Sequence, residues 1–368
     1  MKKVLIAPRK YVQGRDVLSE AGTYVAILGK KPMVLWDSCV KGIVGETLLK
    51  SLKDAGLEVV DVDFGGESSH KEVDRVVEII REKGVDVSIG VGGGKTLDTA
   101  KAAAHFADVK VVTIPTIAST DTPTSSATVW YDEQGNCEGF DCWKHNPDLV
   151  LVDSQVVAGG PVRAFVSGMG DALATWIEAE AAYKTRATNL GGGVSTMAAM
   201  SLASLCYDTI LDFGIEAKRA VEQNVVTPAV EKVIEANVLL SGLGFESGGL
   251  ATVHMIANAL SSYPECKDMM HGDKVGFGII SQLCLDDEMD VEEIYEVVDF
   301  EIAVGLPVTF EDLGLKGATR EKLQPIADIC ASPGSLCETH PFPVTAVDIL
   351  DAMIAADQLG QARKKLQK

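Results

Sequence analysis

A glycine-rich segment, VGGGKTLDTAKA at residues 91–102, has the composition of a phosphate-binding turn. It follows a β-branched run and opens a helical pattern, so backbone N–H groups and the positive end of a helix could approach a phosphate. It is not a Walker A loop, because Ile89 stands where that motif requires glycine, and it is not GxGxxG, because Lys95 replaces the last glycine. The segment predicts a pyrophosphate-binding turn of another pattern, with Lys95 as an added positive charge. A tight turn without a ligand is the alternative.

Two further polar features follow predicted strands. Asp37 ends the run PMVLWD, and an acidic residue at that place commonly accepts hydrogen bonds from an adenosine ribose. Asp37 precedes the glycine turn, which reverses the usual Rossmann order, and it could equally be the N-cap of the next helix. The loop at residues 115–131, PTIASTDTPTSSATVWY, carries hydroxyl groups that could contact a cofactor and a polyol, although the same residue types are ordinary turn formers.

Histidine is scarce, with six residues in the chain. His254 lies in GLGFESGGLATVHMIAN and His271 begins HGDKVGFG, both in positions that suggest cleft-facing chemistry. A single histidine on a helix is more often structural, and the spacing alone does not pair these two. Asp171, in SGMGDALATW, could likewise serve only as a helix N-cap.

The elements that position these residues are of two kinds. Short β-branched runs first alternate with amphipathic helical stretches, a pattern that predicts a mostly parallel, doubly wound sheet. The predicted strands are Val4–Ala7, 32–37, 58–63, 86–90, 109–115 and 147–153. After a Gly/Pro turn the strand signals almost vanish, and helices are predicted at 171–184, 194–214, 229–244, 248–261, 272–284 and 345–366. We therefore predict an α/β domain at residues 1–160 and an all-helical domain at residues 161–368.

Composition excludes several functions. The 368 residues carry a net charge of −20 and no basic stripe, which argues against nucleic acid or an anionic membrane surface as a partner. No uninterrupted apolar run approaches the roughly 18 residues that span a bilayer. The acidic segment 286–301 predicts a solvated helix face. The eight cysteines are scattered without a CxxC pair, a pattern typical of reduced thiols in a cytoplasmic protein.

These motifs, in this order, resemble the glycerol dehydrogenase group of the iron-containing, metal-dependent alcohol dehydrogenase family. The stretches that carry the resemblance lie between residues 92 and 278: GGGKTLDTAKA, PTIASTD, NPDLVLVD, SGMGDALATW, GLGFESGGLA and HGDKVGFG. The resemblance implies a dehydroquinate synthase-like α/β domain followed by an all-α domain. It also implies a homo-oligomer, often an octamer.

The resemblance further implies the site residues. Asp171, His254 and His271 match the family's zinc ligands, and three protein ligands leave a coordination position open. The same set also suits Fe(II). Asp121 matches a residue that contacts the polyol. The positions that match NAD-contacting residues are Asp37, Gly93, Gly94, Lys95, Thr116, Ser119, Ser125, Ala127 (through its backbone) and Tyr131.

The implied reaction is hydride transfer from glycerol, or a related 1,2-diol, to NAD, giving dihydroxyacetone from glycerol. Zinc would lower the pKa of the hydroxyl group and NAD would accept the hydride. Asp121 or a chain of water molecules would take the proton. Two alternatives are a glycerol-1-phosphate dehydrogenase, which shares the fold and the metal ligands, and a non-catalytic nucleotide-binding or assembly protein.

Some residues depart from the family pattern. Asn258 stands four residues after His254, where iron-dependent relatives have a second histidine, and this favours zinc. Ala257 replaces a histidine that is common in the glycerol enzymes, and SSYPECKDMM at residues 261–270 replaces a Thr-His-His segment. These residues and the unusual GFDCWKHNP at 139–147 are expected near the pocket, where they would affect substrate preference rather than reaction type.

Overall fold

The computed structural model describes residues 1–286 and 288–367. Asp287, which belongs to the acidic segment, and Lys368, which ends the predicted second domain, lie outside the described residues. The strands are β1 (Tyr11–Gly14), β2 (Pro32–Trp36), β3 (Val60–Asp63), β4 (Val87–Gly92), β5 (Lys110–Pro115), β6 (Ala127–Tyr131), β7 (Cys137–Cys142) and β8 (Leu149–Asp153). The helices are α1 (Ala21–Val25), α2 (Lys41–Asp54), α3 (His70–Lys83), α4 (Gly94–Ala107), α5 (Ser154–Ala158), α6 (Val162–Thr185), α7 (Met197–Val221), α8 (Pro228–Glu235), α9 (Ser241–Gly248), α10 (Thr252–Ser261), α11 (His271–Leu283), α12 (Val291–Val304), α13 (Arg320–Cys330) and α14 (Ala346–Leu366).

Six strands form one parallel sheet in the order β1-β8-β5-β4-β2-β3, which confirms the predicted doubly wound fold. Strand β2 is apolar throughout because helices cover both of its faces. Val34 and Trp36 pack with α1 and α2, whereas Met33 and Leu35 pack with α3 and α4. Because successive side chains of a strand point to opposite faces, helices on both faces require a continuous apolar run.

The N-terminal strand prediction was wrong. Residues Val4–Ala7 form no strand of the sheet, and the first strand is β1. Lys3 makes only an isolated bridge with Val194, although Val4 donates its N–H to the Val194 carbonyl at 3.2 Å. Pro8, which follows this apolar run, has no N–H group to donate to a neighbouring strand, so it cannot extend a hydrogen-bonded ladder. The antiparallel pair β6–β7 was also missed, within and just after the hydroxyl-rich loop.

The helical C-terminal region agrees with the prediction, with three differences. Helix α6 begins at Val162, so Asp171 lies inside it and the N-cap interpretation of Asp171 was wrong. The acidic segment does form α12, but Glu301 at its end is fully buried rather than solvated. Helix α13 was not predicted.

The chain separates into two compact units. One consists of residues Ile6–Phe165 with Ala220–Gly242 and contains the sheet; the other consists of Met1–Leu5, Val166–Arg219 and the chain from Leu243 onward. The division into domains at residues 1–160 and 161–368 stays a prediction. In the helical unit, apolar residues of α10, α11, α13 and α14, including Ile256, Phe277 and Ile326, form a buried core.

One described helix, α7, is long and apolar enough by composition to cross a membrane, and a third of its apolar window is buried. Core helices of water-soluble proteins meet the same criterion.

Candidate metal centre and nucleotide-binding turn

Three side chains from three helices meet in the helical unit. Asp171 lies on α6, His254 on α10, and His271 is the first residue of α11; one ligand atom from each lies within 4.8 Å of the others. The Asp171 Oδ1 atom is 3.3 Å from His271 Nε2 and 3.6 Å from His254 Nε2. Two ligands of one tetrahedral zinc ion are about 3.4 Å apart, because metal–ligand bonds are about 2.1 Å long. The two nitrogens and one oxygen therefore fit a single divalent cation.

Glycines beside two of these residues let their helices approach closely. A Cβ atom on Gly272 would lie 1.7 Å from the Ser167 carbonyl oxygen, and one on Gly170 would lie 2.4 Å from the Gly272 carbonyl oxygen. Both distances are far below van der Waals contact. The Gly272 N–H also donates to the Ser167 hydroxyl at 3.1 Å. The SGMGD and HGDK segments therefore pack against each other and bring Asp171 and His271 together.

The electrostatics of the cluster favour a bound cation. Burial would raise the pKa of Asp171, but the charge of His271 and hydrogen bonds with both histidines lower it, so the carboxylate stays ionised. Burial likewise opposes charging of His254, yet Glu178 and Asp171 raise its pKa well above the ordinary value. The His271 side chain is 36% exposed, so the cluster is open on that side.

The glycine turn and Asp37 are neighbours although 55 residues separate them, because β2 pairs with β4. A Cβ atom on Gly92, whose φ is 149°, would lie 2.5 Å from the Asp37 Cβ atom. The Asp37 carboxylate accepts the Cys39 N–H at 2.9 Å, and the N-cap of α2 is Val40. The N-cap interpretation of Asp37 was therefore wrong, and the acid lies beside the turn.

Helix α4 begins in the glycine turn without a capping side chain on its N-cap, Gly93. A Cβ atom on Gly93 would meet only Ile117, at 3.5 Å, and one on Gly94 would be 3.6 Å from Thr122 Oγ1, both ordinary contacts. Internal packing therefore does not require glycine at these two positions. An uncapped helix start with bare backbone suits a phosphate ligand.

Lys95 is already paired. Its Nζ atom lies 2.5 Å from Glu67 Oε2 and 4.3 Å from the centre of the Tyr131 ring. Burial, with the nearby charges of Asp98, Cys137 and Glu67, raises the pKa of Tyr131, so its hydroxyl stays protonated. The positive charge expected at the turn is thus partly balanced by Glu67.

The hydroxyl-rich loop is folded against α4 and β4. Thr116, Ser119 and Ser125 are buried, and Thr116 donates its N–H to the Gly92 carbonyl at 3.1 Å. The Asp121 carboxylate accepts a hydrogen bond from the Ser241 hydroxyl at 3.1 Å. The roles of these residues in binding NAD or a polyol stay predictions.

A buried ion pair that was not predicted from the sequence holds this loop. The Lys101 ammonium donates to the carbonyls of Thr122 at 2.9 Å, Ser125 at 3.2 Å and Ala127, and it lies 2.9 Å from Asp98 Oδ1. The available signal was two opposite charges three residues apart in an otherwise Ala-rich helix. Glu178, a carboxylate outside the three metal-ligand candidates, was also not predicted; it contacts the His254 imidazole.

The residues that depart from the family pattern differ in burial and in local structure. Ala257 is buried, Asn258 is exposed, and the segment 261–270 contains a short 3-10 turn, Pro264–Cys266. Trp143 stacks on His105 with ring centres 4.3 Å apart. His105 lies near the C-terminal end of α4, about 16 Å along the helix from the glycine turn at 1.5 Å per residue. The expected position of residues 139–147 near the substrate pocket stays a prediction.

Comparison with known proteins agrees with this architecture. Residues 8–154 match the family described as iron-containing alcohol dehydrogenase. A glycerol dehydrogenase of Escherichia coli O6:H1 is 45% identical, with 98% of both chains covered, and a glycolaldehyde reductase of Halobacterium salinarum is 42% identical, with 98% of this chain and 99% of that one covered. The solved structure of glycerol dehydrogenase from Schizosaccharomyces pombe has a TM-score of 0.94 and 35% identity, covering 100% of this chain and 93% of that one. The chain therefore belongs to the iron-containing alcohol dehydrogenase family.

Proposed function

We propose that this protein is a metal- and NAD-dependent glycerol dehydrogenase. The observation that carries the proposal is the convergence of Asp171, His254 and His271 on a volume that fits one divalent ion. Full-length similarity to glycerol dehydrogenases supports it. These relatives also disfavour the glycerol-1-phosphate alternative.

The residues present suit both groups that this reaction needs. When bound, the metal ion stabilises a deprotonated substrate hydroxyl and NAD accepts the hydride. Asp171 and the two imidazoles would hold the ion, and the exposed side of His271 leaves room for a diol. Asp121 would bind a polyol hydroxyl and accept its proton.

We assign the NAD pyrophosphate to the turn formed by Gly93 and Gly94, with Lys95 as a charge partner. Asp37 would accept hydrogen bonds from the ribose and repel the extra phosphate of NADP. Thr116, Ser119, Ser125, Ala127 and Tyr131 complete the proposed cofactor contacts.

We propose zinc rather than Fe(II) as the resident metal. The cluster offers three ligands, and Asn258, one helical turn after His254, is exposed and supplies no imidazole. Three ligands with an open position are typical of catalytic zinc.

We further propose a cytoplasmic homo-oligomer, such as an octamer, with no nucleic-acid or membrane partner. All eight cysteines are free thiols, which suits a reducing compartment. Light scattering of the purified protein measures the number of subunits.

The substrate assignment is tested by initial rates with zinc-loaded protein. We expect NADH formation from glycerol, slower reaction with NADP, and faster reduction of dihydroxyacetone than of its phosphate ester. Glycolaldehyde and 1,2-propanediol complete the panel. Preference for the phosphate ester would replace the proposal with the glycerol-1-phosphate reaction.

A further inference from the structure

Glu178 is a buried carboxylate whose partners lie around His254. It follows Asp171 by seven residues on α6, so the two carboxylates share one helix face. Its side chain has no solvent exposure. Its oxygens accept hydrogen bonds from the His254 Nδ1 atom at 2.5 Å and from the N–H groups of Ala251 at 2.9 Å and His254 at 3.0 Å. These three bonds offset the cost of burying the charge.

The same region fixes the start of α10. Its N-cap, Ala251, offers no capping side chain. Gln282, on α11, accepts the N–H groups of Thr252 at 2.9 Å and Val253 at 3.1 Å through its Oε1 atom. Four successive N–H groups that a helix start normally leaves without partners are therefore bound by Glu178 and Gln282. Helix α10 is thereby anchored to α6 and α11, the helices that carry the other two metal-ligand candidates.

We propose that Glu178 is a positioning residue that directs the Nε2 atom of His254 toward the metal. An ionised carboxylate can only accept. In the neutral imidazole that binds a metal ion, the proton must therefore be on Nδ1, and the lone pair is left on Nε2. Nε2 is the atom that lies 3.6 Å from Asp171 Oδ1. The assignment rests on the proposed metal centre and adds a residue outside its ligand set.

The Glu178→Gln variant separates this role from simple packing. The amide oxygen of glutamine is needed by the Ala251 and His254 N–H groups, so its NH2 group would face Nδ1. Nδ1 would then have to accept, which moves the imidazole proton to Nε2, the metal-facing atom. We expect zinc affinity to fall about 10- to 100-fold, the usual effect of removing such an outer partner.

Two control variants test the alternatives. Gln282→Met removes two hydrogen bonds from the same helix start and a third to the Ile177 carbonyl of α6, but it touches no imidazole, so it should lose stability and keep zinc affinity. Glu301→Gln makes the same chemical change at another fully buried carboxylate, on α12, and should also keep zinc affinity. Glu178→Asp retains a carboxylate, so its zinc affinity should lie between those of the wild type and Glu178→Gln.

The experiment measures zinc affinity of the metal-free, full-length proteins by competition with a chromogenic chelator. Thermal melts of the same samples and the visible spectrum of Co²⁺-loaded protein report folding and ligand geometry. The proposal is supported if zinc binding is weakest in Glu178→Gln, intermediate in Glu178→Asp and unchanged in the two control variants, and if the Co²⁺ spectrum of Glu178→Gln is altered. Wild-type affinity in Glu178→Gln, equal weakening in Gln282→Met, or equal weakening in Glu178→Asp would overturn it. Failure of the wild type to bind zinc would instead refute the proposed metal centre, and the assignment with it.

Discussion

At the glycine turn, a neighbouring carboxylate partly balances the positive charge of Lys95. Its ammonium group is held by Glu67, and the two side chains are 39% and 33% exposed. A pyrophosphate at this turn would compete with Glu67 for the same cation. The local positive potential is therefore lower than the sequence motif alone indicates.

Replacing Glu67 with glutamine should strengthen NAD binding. We expect a Kd lower by about 1.4- to fivefold, because a partly exposed ion pair contributes about 0.2–1 kcal/mol. Fluorescence titration with NADH or calorimetry with NAD measures the change. Glu133→Gln is the matched control, since Glu133 pairs with the exposed Lys71. Weaker binding in Glu67→Gln would mean that Glu67 itself contacts the cofactor.

The buried Glu301 side chain makes the free energy of unfolding depend on pH. Burial raises its pKa well above the ordinary value of 4.5, and Glu301 keeps its proton in the folded protein where the unfolded chain loses it. Its favourable contribution is therefore present below pH 4.5 and is lost as pH rises toward the folded-state pKa.

Glu301→Gln should remove this dependence. In urea unfolding at a series of pH values, the stability of the variant relative to wild type should rise by about 1.4 kcal/mol per pH unit above pH 4.5. The rise should stop at the pKa of the folded protein. A stability difference that does not change with pH would show that the carboxyl group titrates normally.

For single residues, the sequence could predict the metal-ligand candidates but not the side chains that contact them. The resemblance singled out Asp171, His254 and His271, which do meet. Glu178 was missed because a seven-residue spacing on a helix gives a common face without saying what packs against it. Glu67 was missed because the contact with Lys95 comes from tertiary structure.

Among the elements, the segment from α4 to β6 is held together by the buried Asp98–Lys101 pair. Asp98 Oδ2 accepts the Val129 N–H at 3.0 Å. Lys101 donates to the carbonyls of Thr122, Ser125 and Ala127, which lie in the hydroxyl-rich loop and at the first residue of β6. One helix thus fixes the loop that carries several proposed cofactor contacts.

Lys101→Met should destabilise this arrangement strongly. It leaves Asp98 buried without its cation, and removal of one partner from a buried pair costs about 3–5 kcal/mol. Urea unfolding measures the loss, and NAD binding should weaken as the loop loosens. The double variant Asp98→Asn, Lys101→Met should lose less than the sum of the single changes. Strict additivity would show that the two charges do not interact.

Element prediction succeeded for the strands that are continuous apolar runs. Strands β2, β4, β5 and β8 are apolar because both faces are covered, and their positions were predicted within a few residues. The failure at Val4–Ala7 arose because an apolar run does not itself supply a pairing strand. The Gly/Pro turn ends at Pro161, directly before Val162, and α6 begins there, nine residues before the predicted start at residue 171.

For the whole molecule, the net charge of −20 does not argue against the proposed binding of an anionic dinucleotide at the glycine turn. Helix α4 begins at uncapped glycines, and this local field does not depend on the overall charge. The fold class could be predicted from alternating β and α patterns. The return of residues 220–242 to the sheet-containing unit could not, because helical periodicity does not indicate which core a helix joins.

We propose that one divalent ion, held by Asp171, His254 and His271, is required for glycerol oxidation. The most direct measurement is a zinc titration of exhaustively chelated protein while NADH formation from glycerol and NAD is followed. We predict no activity without metal and a rise that saturates near one equivalent of zinc per chain. Full activity after complete chelation would contradict the account.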